Sequence, residues 1–162
     1  MRSSTPPAIT LATPIQDRDR RYGYPGPRDG EIRSKGQARR LVEMIASDPS
    51  HALAVSAFIL AEVGKALSYP QMQTLLAITS DEIEDHVAYL RRVSRVVEPS
   101  PGIPVVLTDP QDDPIVYTAV TAGADILCAR DRSFHMPNVI SFCERFGMRV
   151  MNEIQLLNRM QS

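Results

Sequence analysis

No run of apolar residues approaches the roughly 18 that a membrane-spanning helix needs, and the start lacks the apolar core of a secretory signal. The expectation is a cytoplasmic protein with no membrane partner. Cysteine is scarce: Cys128 and Cys143 sit in apolar surroundings without metal-ligand spacing, which reads as two small buried hydrophobes in a reducing compartment. No excess of positive charge exists either. Lys and Arg number 18 against 19 Asp and Glu, a net charge of −1, so any contact with nucleic acid has to come from a local patch. What is present is ordinary globular composition, with 43% hydrophobic and 23% charged residues over 162 positions, enough for one domain with its own core.

The amino end differs from the rest. Residues 1–33 hold one strand-like run, Ala8-Ile9-Thr10-Leu11-Ala12, followed by a stretch rich in Pro, Gly, Arg and Asp that predicts irregular structure. Its Arg18, Arg20, Arg21 and Arg28 interleave with Tyr22 and Tyr24, a composition able to touch nucleic acid by charge and stacking. Asp17, Asp19, Asp29 and Glu31 in the same stretch favour a solvated arm.

From Ser34 to the end at residue 162 the pattern becomes regular. Leu41, Val42 and Ile45 recur at helical spacing up to Asp48-Pro49, and Ala52 to Ser56 reads as a buried strand. Ala57 to Ser68 predicts a helix in which Glu62 falls at the edge of the apolar stripe, between Phe58 and Ala66. Half-buried carboxylates want a partner. Ser80 is expected to cap a long helix whose apolar face runs Ile83, Val87, Leu90, Val93 and Val97, with Arg91, Arg92 and Arg95 in its last turns. Ile103 to Leu107 is expected to be extended. A helix over Val139 to Phe146, a strand over Met148 to Met151 and a helix over Glu153 to Met160 complete the chain. Strands alternating with helices predict an α/β fold, a parallel sheet with helices on both faces.

The informative stretch is Asp109-Pro110-Gln111-Asp112-Asp113-Pro114, together with the helix and strand that lead from it to Asp131. Acids open a helix, Gly123 stops it, Ile126 to Ala129 forms an apolar strand, and Asp131 follows. A helix of about nine residues is roughly 14 Å long, a distance that a returning strand covers, so both acids fall beyond the carboxyl ends of the strands, where open α/β sheets bind ligands. Gathered carboxylates resist ionising together and are commonly stabilised by a hard divalent cation. Each acid also has a purely structural reading. Asp113 before Pro114 is a common helix start, and Asp131 opens a polar turn.

The block from Asp109 to Asp131 resembles the "DPDD…A…GAD…GD" segment of PIN-domain proteins, and the order of segments over residues 34 to 155 is similar to the toxin-like branch of that family. The resemblance implies a three-layer α/β/α sandwich with a central parallel sheet and an endoribonuclease dependent on Mg²⁺ or Mn²⁺. It further implies the toxin of a toxin–antitoxin pair, with an RNA substrate, an antitoxin protein as partner, and in many members a homodimer. Carried over by position, Glu62 matches the family's helical acid, Asp113 its third acid and Asp131 its fourth, while Asp109, Asp112 and Asp17 are nearby candidates for the metal. The sequence departs from the family in two places. The family's first strand ends in an Asp, whereas here Ala12 is followed by Thr13-Pro14-Ile15, and the small hydroxyl residue before the fourth acid is replaced by Ala129-Arg130. Two functions follow as expectations: a metal-dependent ribonuclease using Glu62, Asp113 and Asp131, or a catalytically impaired PIN-like module that binds RNA or protein.

Overall fold

The computed structural model describes residues 8–12 and 41–161. Five parallel strands form one sheet in the order β3-β2-β1-β4-β5. They are β1 Ala8–Ala12, β2 Ala52–Val55, β3 Ser94–Val96, β4 Ile126–Ala129 and β5 Arg149–Met151. The helices flanking them are α1 (described over 41–47), α2 Ala57–Leu67, α3 Pro70–Leu76, α4 Ser80–Val93, α5 Asp113–Ala122, α6 Pro137–Glu144 and α7 Glu153–Gln161. This is a three-layer α/β/α sandwich around a parallel sheet, as the alternation of elements predicts.

Parallel strands covered on both faces read as continuous apolar runs, because neither side meets water. All four residues of β4 are buried, as are Leu53, Ala54 and Val55 of β2. The helices meet the sheet through fully buried Leu60, Ile115, Val116 and Leu156. Each such side chain stabilises the fold by about 1.5–3 kcal/mol relative to exposure. Gly123 terminates α5 at φ 64°, a left-handed conformation that glycine adopts without a Cβ penalty, and its N–H closes back on the Ala119 and Val120 carbonyls.

Three local expectations are corrected. The cap of α4 is Thr79 and not Ser80: the Thr79 hydroxyl accepts from Glu82 N at 3.1 Å, and Glu82 Oε1 accepts from Thr79 N at 3.0 Å. That reciprocal pair satisfies two otherwise orphaned donors, so it fixes the helix start one residue earlier. The helix does not carry its apolar face to Val97. It stops at Val93, and Ser94–Val96 pairs with β2 in the register Leu53↔Ser94 to Val55↔Val96. Ile103 to Leu107 belongs to no strand, although Val105 and Val106 are buried. Their N–H groups are taken by a side chain instead of a sheet ladder. The irregular arm after β1, with Asp17, lies outside the described residues.

Candidate functional site

Chain direction selects one place on this sheet. From β1 the chain moves outward through β2 and β3, then crosses to the other side of β1 for β4 and β5. Connections therefore diverge between β1 and β4, and the crevice beyond the carboxyl ends of those two strands is the switch point where such sheets bind ligands. β1 and β4 run in register from Ile9↔Ile126 to Ala12↔Ala129. The strand ends that frame the crevice are therefore two alanines, directly paired.

On one side stands the start of α5. Inside this helix the Thr118 hydroxyl donates to Pro114 O at 2.7 Å and lies 2.8 Å from the hydroxyl of Ser56, the buried cap of α2. Thr118 is thus level with the end of β2, and Asp113, five residues earlier, stands roughly 7.5 Å further out along the helix axis. Asp113 is not the N-cap that its place before Pro114 suggests. It is the first residue of the helix, Asp112 stands before it as the cap position without a side-chain cap bond, and Asp113 Oδ1 accepts from Val105 N at 3.2 Å and Val106 N at 2.7 Å. The carboxylate pins the loop that follows β3. Asn138 Nδ2 donates to Val105 O at 2.6 Å and the Tyr117 hydroxyl to Ile103 O at 2.7 Å, so the same loop is held from α6 and from α5 as well. Tyr117 crosses the loop at Gly102, where an added Cβ would collide with its hydroxyl oxygen.

On the other side is the turn after β4. Asp131 Oδ1 accepts from Ser133 N and from the Ser133 hydroxyl, both at 2.9 Å, and so caps the 3₁₀ turn Arg132–His135. Beside it, Arg130 Nη2 lies 2.8 Å from one carboxylate oxygen of Glu153 and 2.9 Å from the other. Sequence reasoning missed this pair, because its 23-residue separation leaves no short-range pattern. Only the acid in the first turn of α7 hints at it.

The remaining candidates sit apart from one another in role. Glu62, with a side chain 18% exposed, is 4.0 Å from Lys65 one turn along α2. Asp109 precedes the short 3₁₀ turn Pro110–Asp112, where its carbonyl accepts from Asp112 N at 2.9 Å, and Asp112 is fully buried. Among the described residues, no three His, Cys, Asp or Glu side chains form a group that could hold a metal ion. Mg²⁺ demands a near-octahedral set of oxygens at close range, and Mn²⁺ prefers a similar oxygen-rich set. Asp113 is fastened to a loop, Asp131 to its own turn and Glu62 lies beside an ammonium, and the described acids form no such set.

Both cysteines are free and buried; burial pushes the Cys128 thiol up to about 12 and the Cys143 thiol up to about 11. Neither is an available nucleophile at neutral pH. No helix among the described residues is long and apolar enough to cross a membrane.

No family model matches the sequence, and no curated protein is similar to it. The structure is similar to the crystal structure of PAE2754 from Pyrobaculum aerophilum, with a TM-score of 0.56 and 14% identity, over 99% of this chain and 98% of that one. At that identity the likeness shows the fold alone.

Proposed function

We propose that the chain is a PIN-like module that binds single-stranded RNA in the crevice between β1 and β4 and does not cleave it. The observation that carries this reading is that, among the described residues, no three His, Cys, Asp or Glu side chains form a group that could hold a metal ion. Where the family pattern has a hydroxyl group shortly before its fourth acid, β4 ends in the methyl group of Ala129. Without a metal-holding group a cation has no site among these acids, while the switch point between β1 and β4 remains. Arg130 and the exposed Arg132 supply positive charge at its β4 rim, the local patch that a chain of net charge −1 needs in order to meet a polyanion.

The test is a gel and anisotropy comparison on mixed single-stranded RNA, with Mg²⁺, with Mn²⁺ and with chelator. Expected are binding that weakens as salt rises and intact RNA in all three conditions. Asp131→Asn, which removes a negative charge from the rim, should bind RNA more tightly than the wild type. Cleavage that appears with a divalent cation and disappears in Asp131→Asn would overturn this reading.

One observation favours a second reading. Asp113 and Asp131 both stand beyond the carboxyl ends of the sheet, and each uses only Oδ1 in the bonds described. A metal-dependent endoribonuclease of the PIN type, the toxin of a toxin–antitoxin pair, would draw on their second oxygens, on Glu62 and on Asp17. The same assay separates the two.

A further inference from the structure

Three contacts fix the residues that leave β4. His135 Nε2 lies 2.7 Å from Ala129 O, Asp131 holds Ser133, and Glu153 holds Arg130. Glu153 is itself immobilised by the start of α7, where Asn152 N donates to Gln155 Oε1 at 2.9 Å and Gln155 N to Asn152 Oδ1 at 2.8 Å. This reciprocal cap sets the backbone of the first helical residue, from which the carboxylate reaches Arg130. The Glu153 side chain is only 6% exposed, whereas that of Arg130 keeps 31%. Burial raises the pKa of Glu153, and the charge and hydrogen bond of Arg130 oppose that rise.

A buried carboxylate is a poor means of gluing a helix to a strand, since an apolar pair of similar volume does so without desolvating charge. What the ion pair adds is direction. A guanidinium is a rigid planar fork suited to phosphate oxygens, and here its Nη2 is held by Glu153 at the carboxyl end of the switch-point strand while about a third of the side chain meets solvent.

We propose that Arg130 is the phosphodiester contact of the crevice and that Glu153 is its positioning residue. This rests on the RNA-binding reading and names the group that would recognise the backbone. Asp131 stands next to it as an opposing charge, which limits how much a single contact contributes.

The experiment follows binding of labelled, mixed-sequence single-stranded RNA to the full chain by anisotropy over a range of KCl concentrations, with thermal unfolding of every variant recorded alongside. Arg130→Gln should bind about tenfold more weakly and reduce the slope of log affinity against log salt by about 0.7, the loss of one phosphate contact to a single strand. Arg130→Lys keeps the charge and should keep the slope, with affinity between the two. Glu153→Gln should lower affinity at unchanged slope, a split that a merely structural role does not produce. Arg159→Gln, which removes an equal charge near the far end of α7, should bind as the wild type does. Wild-type affinity and slope in a folded Arg130→Gln would overturn the inference and leave the RNA reading standing. If that variant unfolds, wild-type behaviour in both Arg130→Lys and Glu153→Gln overturns it equally. Failure of the wild-type chain to bind RNA at any salt concentration would end both.

Discussion

Asp113 and Asp131 are the same residue type at the same end of the sheet, and they do different jobs. Asp131 bonds two residues ahead and shapes its own turn, whereas Asp113 reaches back seven and eight residues to hold the loop after β3 against α5. The first contact is local, closed within three residues. The second exists only once the domain has folded. Proximity to a crevice therefore does not make two carboxylates equivalent, and the backbone groups that each one satisfies decide what its loss does.

The sharpest way to break this contrast is Asp113→Ala. It leaves the N–H groups of buried Val105 and Val106 without their acceptor, and an unsatisfied buried donor costs about 1–3 kcal/mol. Chemical denaturation should show a loss of about 2–6 kcal/mol for the two together, with amide exchange rising first in residues 103–107. Retained stability would mean that the loop is held by Asn138 and Tyr117 alone. Asp131→Ala removes a cap on a short turn and should cost about 1 kcal/mol in the same experiment. Equal losses in the two variants would erase the distinction.

The smallest effect concerns pH. Burial, partly offset by Arg130, holds Glu153 above its usual value of 4.5, so the folded chain binds this proton more readily than the unfolded chain does. Its contribution to stability is fullest in acid and declines as pH rises from 4.5 through the raised value. Stability curves of wild type and Glu153→Gln should diverge over that interval, with the variant lacking the decline. Parallel curves would show that Arg130 cancels the effect of burial.

Much of the fold was legible because its signals are local. The apolar runs at 52–55 and 126–129, the stop at Gly123 and the spacing Leu41, Val42, Ile45 each report their own element. What escaped depends on partners far along the chain. Ser94–Val96 carries an arginine at its centre and continues the helical spacing of Leu90 and Val93, so nothing nearby marks it as a strand; only β2 beside it does. Ile103 to Leu107 looks extended, yet its amide partners are a carboxylate instead of a neighbouring strand. The site shows the same division. The turn role of Asp131 is written in Asp-Arg-Ser, while the hold of Asp113 on Val105 and of Glu153 on Arg130 requires the tertiary structure.

The outermost members of the sheet, β3 and β5, are only three residues long, and each has an arginine: Arg95 in the middle of one, Arg149 at the start of the other. A foreign peptide seeking to extend the sheet would find a template of barely one repeat, interrupted by a cation that resists stacking like on like. Concentrated preparations of this protein should accordingly be spared fibrillar growth by strand addition, a protection that comes from the brevity of its margins.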